Sequence, residues 1–182
     1  MAHGRRVAMN YDVTRFTLRD KINNLIPALK QDFINAHGLD TSNIPMYDIG
    51  EKLDVNKKWK MSVLKIMGEW NAEAKSKYPT LNTLVEELGD TCRSAGYSIL
   101  ESGGNVLTHT DTEEGHENYV IVHVPLMVPS GDIGFYENDE KGIWVEGECF
   151  ILDVESPHSV WNFTDQSRVV VLLELLKKEV YV

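Results

Sequence analysis

The sequence predicts a mainly β protein with N-terminal helices, built as a double-stranded β-helix of the jelly-roll, cupin-like kind. Two observations lead to this fold class. From Gly96 onward, short runs rich in β-branched and aromatic residues, such as NYVIVHVPLMV and RVVVLLELL, are separated by turn sequences such as SGD and NDEKG. Short strands at regular intervals are typical of a sandwich or small barrel. Before Gly96, apolar residues recur at helical spacing, so helices would cover one face of the sheet.

Two helices and one strand are expected in the first half. The first helix ends at Gly38, and Pro27 is expected to kink or divide it. The second helix covers 81–88, and KWKMSVLKIMGEW between the two helices alternates like a strand. The residues expected to cap these helices are Thr17 for the first and Thr80 or Asn82 for the second.

Length and composition indicate one domain spanning 1–182, with a helical part at about 1–95 and a β-helix core at about 96–182. A chain of 182 residues with 42% hydrophobic content can bury one core. The formal net charge of -10 argues against nucleic acid and anionic membranes as partners, because their binders use clustered Lys and Arg. A small-molecule or peptide substrate is the remaining expectation.

The cysteines and the N-terminus predict a cytoplasmic protein. Cys92 and Cys149 have no zinc-binding spacing and are expected to be buried free thiols in a reducing compartment. No apolar segment follows the arginines of MAHGRRVAMN, so we expect no signal peptide. No apolar run approaches the roughly 20 residues that a transmembrane helix needs.

The sequence VLTHTD places His109 and Asp111 where an apolar strand gives way to a polar loop. Two side chains at this spacing reach one metal ion when the strand ends between them, because the second then lies in the turn. His158, in ESPHSVWN, is the candidate third ligand, and Pro157 would make its approach rigid. Two histidines and one carboxylate are typical of non-haem Fe(II) sites. Taken alone, the pair is explained better by a solvated turn than by a metal site.

Arg168 begins the strongly apolar strand RVVVLLELL. A guanidinium at the head of a buried strand needs an anion, and its planar fork suits a carboxylate. Two interpretations stay open here, a structural ion pair with an acidic residue and a binding site for a carboxylate ligand.

These segments together resemble the aspartyl/asparaginyl β-hydroxylase family of Fe(II)- and 2-oxoglutarate-dependent oxygenases. The similar segments run in the family's order from Trp59 to the C-terminus and cover about two thirds of the chain. They are WKMSVLKIMG, YPTLNTLVEEL, YSILESGGNVLTHTD, HVPLMVPSGDIGF, WVEGECFILDVESPHSVWN and RVVVLLEL.

The resemblance implies a role for individual residues. His109 and His158 match the iron-binding histidines, and Arg168 matches the arginine that holds the distal carboxylate of 2-oxoglutarate. Ser98 matches the serine that assists this arginine, and His123 matches a histidine beside the other end of the cosubstrate. The residues that match a pattern shaping the strands before the second histidine, and that we interpret as structural, are Trp144, Gly147 and Asp153.

The sequence departs from the family's vertebrate-type members at two positions. Asp111 stands where those hydroxylases have glycine, so the resemblance implies a complete triad that favours hydroxylation over halogenation. Ile121 stands where they have an arginine, which argues against peptidyl Asp or Asn as the substrate. The implied activity is hydroxylation of an amino acid or amino-acid-like substrate by Fe(II), 2-oxoglutarate and O2, releasing succinate and CO2.

Other functions have less support in the sequence. HExxH and GxSxG are absent, which argues against a zinc protease and a serine hydrolase, and no phosphate-binding glycine loop occurs. The alternative outside catalysis is a cupin-like metal- or ligand-binding module. Trp161 is expected either to line the substrate pocket or to pack in the core. His116 is expected to be a surface residue of an acidic loop covering 113–117.

Overall fold

The computed structural model describes residues 11–46, 53–111 and 116–182. The predicted acidic loop lies mostly outside these ranges, as does the N-terminal segment MAHGRRVAMN. The helices are α1 Arg19–His37, α2 Ala72–Lys77, α3 Pro79–Leu88 and α4 Lys177–Val180. The strands are β1 Trp59–Ile66, β2 Glu69–Trp70, β3 Cys92–Leu100, β4 Gly104–His109, β5 Tyr119–Met127, β6 Ile133–Glu137, β7 Glu140–Gly142, β8 Phe150–Leu152, β9 His158–Asn162 and β10 Arg168–Leu176.

The strands form two antiparallel sheets, as the predicted double-stranded β-helix requires. The large sheet has the order β2-β1-β3-β10-β5-β8, and the small sheet has the order β4-β9-β6-β7. Strands distant in sequence are therefore neighbours, which brings β4 next to β9 and β10 between β3 and β5. The β structure begins at Trp59, so the boundary near residue 95 does not separate helices from strands.

The predicted strand KWKMSVLKIMGEW is a hairpin rather than one strand. β1 ends at Ile66, and β2 returns beside it with Lys65 opposite Trp70. The reversal passes through Met67 and Gly68, both with positive φ, of 49° and 88°. Glycine adopts this conformation without steric cost, which explains the tight turn.

Side chains alternate between two apolar layers along each strand of the large sheet. On β10, Val169, Val171 and Leu173 face the helices, where they pack with Ile22 and Leu29 of α1. Val170 faces the other way and packs with residues that lie between the two sheets. The residues of this second cluster are Ile133, Phe135, Trp144, Phe150, Leu152, Val154 and Val170. The face that looks toward the small sheet is the inner face of the large sheet.

Pro27 does not divide the first helix, which runs without interruption over Arg19–His37. A proline inside a helix costs about 3 kcal/mol, whereas each fully buried aliphatic side chain contributes about 1.5–3 kcal/mol. Ile26 and Leu29, on either side of Pro27, are both buried. Their burial against the sheet outweighs the lost hydrogen bond. Gly38 ends the helix as predicted, with φ 63°.

The predicted helix caps are wrong. Leu18 occupies the cap position of α1 without a side-chain bond, and the Thr17 hydroxyl donates to the carbonyl of Val180 instead. α3 begins at Pro79, so Thr80 lies within its first turn. The first backbone amides of α3 donate to Asp32, a buried residue of α1. Tertiary packing has therefore replaced the local caps.

Both cysteines are free and buried, as the sequence predicts. Burial raises the pKa of each thiol to about 12. No helix in the described ranges has the length and apolar content needed to cross a membrane.

Replacing Asp32 with alanine is expected to lower the free energy of unfolding by about 1–3 kcal/mol, because the N-terminus of α3 loses its acceptor. The measurement is chemical denaturation monitored by circular dichroism. Glu87→Ala on the same helix is the control, since Glu87 forms an exposed ion pair with Lys21, and such pairs contribute little. Equal stability of the Asp32→Ala and Glu87→Ala variants would contradict this role.

Candidate metal and 2-oxoglutarate site

The pairing of β4 with β9 brings two of the predicted ligands together. His109 lies directly opposite His158 in the ladder, so both side chains project to the same face. Their ring centroids are 4.3 Å apart. His158 is also paired with Glu137 of β6. The sheet register therefore places both histidines in one row, facing the large sheet.

Asp111 lies just beyond the end of β4, where the sequence predicts it. Its backbone N–H donates to the carbonyl of Val154 at 2.8 Å. This bond fixes the turn beside the segment that leads to His158. The Asp111 carboxylate oxygens lie 3.6 Å from His109 Nε2 and 4.0 Å from His158 Nε2. One ligand atom from each of the three residues lies within 4.8 Å of the others.

The hydrogen bonds of the two histidines select the tautomer that a metal ion requires. Nδ1 of His109 contacts the carbonyl oxygen of Leu107 at 2.7 Å, and Nδ1 of His158 contacts that of Ser156 at 3.0 Å. A carbonyl only accepts, so each Nδ1 carries the proton and each Nε2 presents a lone pair toward Asp111. Burial lowers the pKa of His158 and so favours this neutral form.

The loop before His158 is held by Asp153. Its carboxylate accepts hydrogen bonds from the Ser156 hydroxyl at 2.8 Å and from the Glu155 amide at 3.2 Å. The carbonyl of Pro157 accepts from Asn138 at 2.7 Å. Asp153 thus has the structural role predicted for it.

Arg168 is a buried cation without a carboxylate partner in the described ranges. It is only 2% exposed, and its Nη2 donates to Ser98 Oγ at 3.2 Å. Its Nε is buried and has no hydrogen-bond partner. Burial alone lowers its pKa to about 9. The other buried cations differ, since Lys60 pairs with Glu101 at 2.8 Å and Lys65 donates to backbone carbonyls. The structural ion pair considered for Arg168 is absent from the described part of the chain.

Ser98 lies beside Arg168 on the inner face of the large sheet, opposite Val170 in the β3–β10 ladder. It is 1% exposed. Its hydroxyl oxygen accepts from Trp59 Nε1 at 2.8 Å and from Arg168. Both bonds use the oxygen's lone pairs, so the hydroxyl hydrogen is left to donate. Arg168 and Ser98 together present donors that fit a carboxylate.

His123 lies on the same inner face, opposite Leu172 and Phe150. Trp144 Nε1 donates to His123 Nδ1 at 3.2 Å. Since Nδ1 accepts this bond, the neutral ring carries its proton on Nε2 and can donate there. Burial, and secondly the charge of Arg168, lower the pKa of His123 well below its usual value. The ring is therefore a neutral donor.

The sequence interpretation missed the part that two tryptophans play. Trp144 was expected to be structural, yet its ring centroid lies 4.8 Å from the Arg168 guanidinium carbon and its N–H binds His123. Trp59 holds the Ser98 hydroxyl. A buried indole N–H seeks an acceptor, but its partner depends on the register between distant strands. Trp161 is buried, as one of its two predicted roles requires, but it projects from β9 to the face opposite His158 and packs against Tyr136 rather than between the sheets.

Ile121 packs at the edge of the apolar cluster between the sheets and lies opposite Leu152. The position where the vertebrate-type hydroxylases have an arginine is therefore part of an apolar wall.

Comparison with known proteins agrees with this site. The sequence profile described as aspartyl/asparaginyl beta-hydroxylase matches residues 24–178. The chain belongs to the aspartyl/asparaginyl β-hydroxylase family. Members of this family are 2-oxoglutarate-dependent oxygenases, and this chain has a His-x-Asp…His triad that could hold a metal ion.

Two relatives of this chain are longer proteins. It is 25% identical over 92% of its length to an ornithine lipid ester-linked acyl 2-hydroxylase from Rhizobium tropici. It is 28% identical over 66% of its length to the human aspartyl/asparaginyl beta-hydroxylase. The chain spans 60% of the first protein and 16% of the second.

The solved structures similar to this chain include a Cupin 2 conserved barrel domain protein from Salinispora arenicola CNS-205. The TM-score is 0.45 at 13% sequence identity, covering 75% of this chain and 84% of that one.

Replacing His158 with alanine is expected to abolish binding of Fe(II) or Co(II), and Asp111→Ala is expected to weaken it at least about 100-fold. The reason is that each removes one of three ligands, whereas loss of an outer partner already costs about 10–100-fold. The measurement is anaerobic isothermal titration calorimetry. The control is His37→Gln, since His37 contacts Tyr78 in the helical layer. Unchanged metal affinity in His158→Ala would show that the ligand assignment is wrong.

Replacing Arg168 with methionine is expected to keep or raise the melting temperature of the protein without 2-oxoglutarate. The substitution removes a buried charge that has no anionic partner, and such replacements are often neutral or stabilising. The same variant should bind 2-oxoglutarate about 30- to 5000-fold more weakly, as expected when a buried charge pair loses one member.

Arg93→Met provides the contrast for thermal denaturation, because Arg93 pairs with Glu174 at 3.2 Å. We expect this variant to lose about 1–3 kcal/mol of stability. A loss of stability in Arg168→Met as large as that in Arg93→Met, with unchanged 2-oxoglutarate affinity, would contradict a ligand-binding role for Arg168.

Proposed function

We propose that this chain is an Fe(II)- and 2-oxoglutarate-dependent dioxygenase that hydroxylates an unactivated C–H bond of an amino acid or amino-acid-like substrate, free or peptidyl. The observation that carries the proposal is the buried guanidinium of Arg168, which has no carboxylate partner among the described residues. It lies between the same two sheets as the cluster of His109, Asp111 and His158. A metal-ligand triad alone suits many cupin-like proteins, but a buried cation without an anion implies an anionic ligand.

The residues of the site fit Fe(II) and 2-oxoglutarate. The Nε2 atoms of His109 and His158 and the Asp111 carboxylate would hold the ion, leaving other positions free for ligands. Arg168 and the Ser98 hydroxyl would hold the distal carboxylate of 2-oxoglutarate. When bound, these groups supply the oxidising chemistry, in which O2 and 2-oxoglutarate are consumed and succinate and CO2 are released.

The protein's own part in the reaction is to bind, orient and exclude water. The hydrogen bonds on Nδ1 keep both ligand histidines in the metal-binding tautomer. His123 would donate from Nε2 to the proximal end of the cosubstrate. The aromatic wall of Phe135, Trp144 and Phe150 lines the space between the sheets and keeps it dry. Asp111 occupies the position that a halide would need, which favours hydroxylation.

The substrate proposal rests on the exposure of the metal-ligand triad to solvent. Asp111 has a side chain 40% exposed, so the triad opens toward solvent rather than into a closed cavity. Ile121 packs against the apolar cluster between the sheets, at the position where the vertebrate-type hydroxylases have a cation. This wall suits an aliphatic C–H group better than an anionic aspartyl side chain. The names of the two relatives, an ornithine lipid ester-linked acyl 2-hydroxylase and an aspartyl/asparaginyl beta-hydroxylase, set the range of substrates to be tested.

The experiment is a succinate-release screen with Fe(II), 2-oxoglutarate and O2 over free amino acids, short peptides and amino acids with ester-linked acyl chains. At least one substrate should raise succinate above the substrate-free rate, with a product 16 Da heavier detected by mass spectrometry. His158→Ala is the matched control and should give neither. Metal binding without succinate from any substrate would favour the cupin-like binding module instead.

A further inference from the structure

Trp144 is a buried indole that contacts two separate parts of the proposed cosubstrate pocket. It lies between β7 and β8 and is 3% exposed. Its N–H donates to His123 Nδ1, and its ring faces the Arg168 guanidinium. Arg168 and His123 would bind opposite ends of 2-oxoglutarate, so one side chain contacts both binding groups.

The hydrogen bond determines which nitrogen of His123 can donate. Trp144 Nε1 is only a donor, so the bond of 3.2 Å requires an unprotonated Nδ1 on His123. The proton of the neutral ring then resides on Nε2. The opposite tautomer would place two N–H groups against each other in a buried position, at the cost of an unsatisfied donor.

The indole face has a separate effect on Arg168. The guanidinium carbon lies 4.8 Å from the ring centroid, in a desolvated position where cation–π attraction is strong. Among the described residues Nε has no hydrogen-bond partner and Nη2 binds Ser98, so the adjacent indole face helps to orient the guanidinium plane.

Trp144 is itself held rigidly by an aromatic cycle. Its ring centroid lies 5.2 Å from that of Phe135, which stacks on Phe150 at 5.3 Å. Phe150 stacks on His123 at 5.3 Å, and the hydrogen bond from Trp144 to His123 closes the cycle. Gly142 leaves space for the Phe135 ring, because a Cβ added at this glycine would lie 2.2 Å from that ring. The cycle leaves the indole little freedom to turn.

We propose that Trp144 is a positioning residue for 2-oxoglutarate, which fixes the donor nitrogen of His123 and the plane of Arg168 before the cosubstrate binds. The inference rests on the proposed function. It adds that the cosubstrate pocket is preorganised, so that binding does not have to order these two groups.

The test compares Trp144→Phe with Trp161→Phe. Trp161 is a matched control, because it is 8% exposed, donates its N–H to Asp132 at 2.9 Å and faces Lys141 at 4.9 Å, but lies on the outer face. The first readout is the nitrogen-15 NMR spectrum of the metal-free protein. His123 should carry its proton on Nε2 in the wild type and in Trp161→Phe, and should become a mixture of tautomers in Trp144→Phe.

The second readout is calorimetric binding of 2-oxoglutarate to the Mn(II)-loaded protein. Trp144→Phe should raise the Kd about 2- to 10-fold, as expected for one lost hydrogen bond, and Trp144→Leu should raise it further because it also removes the aromatic face. Trp161→Phe should change the Kd less than about 2-fold. In a His123→Phe background, Trp144→Phe should have little additional effect, since the acceptor is already gone.

The outcomes separate this inference from the proposed function. Tight binding of 2-oxoglutarate by the wild type with equal affinity and an unchanged His123 tautomer in Trp144→Phe would overturn the positioning role alone. A wild-type protein that binds Mn(II) but not 2-oxoglutarate would overturn the proposed function, and this inference with it.

Discussion

The buried guanidinium of Arg168 is the constraint on which the account of this site depends. It lies at the start of β10, a largely apolar strand between β3 and β5, where it is shielded from water. Lys60 and Lys65, also buried, have an acidic or carbonyl partner, whereas in the described ranges Arg168 contacts a hydroxyl and an aromatic face but no carboxylate. Desolvating a charge without an anion is costly. A ligand carboxylate would remove this cost, which connects the fold's energetics with cosubstrate binding.

The sheet register determines which side chains share the inner face with Arg168. Antiparallel pairing of β4 with β9 sets His109 opposite His158, and pairing of β10 with its two neighbours sets Ser98 and His123 on the same inner face. A shift of one residue in either ladder would turn these side chains toward the helices or toward solvent. The helical layer therefore affects the positions of the site residues indirectly, because its apolar contacts hold the register of the large sheet.

The sequence predicted the β-helix from local signals, whereas the triad also required the family resemblance, because His109 and Asp111 alone fit a solvated turn better. Short strands with turn residues indicate the fold, and His109, Asp111 and His158 lie at strand ends. Ser98 and His123 are ordinary strand residues by pattern, and only the family resemblance singled them out. The cap predicted for α3 is wrong because Asp32, which is 48 residues from Thr80, accepts the hydrogen bond in place of a local cap. Trp144 was assigned a purely structural role because its partners are set by pairings between distant strands.

The most direct test of the central claim is anaerobic absorption spectroscopy of the Fe(II)-loaded protein titrated with 2-oxoglutarate. Chelation of the iron by the keto acid, with its distal carboxylate on Arg168, predicts a weak visible charge-transfer band that saturates at one equivalent. Succinate, which lacks the keto group, should give no band. Iron binding without any band at saturating 2-oxoglutarate would contradict the claim that the metal triad and the buried arginine form one cosubstrate site.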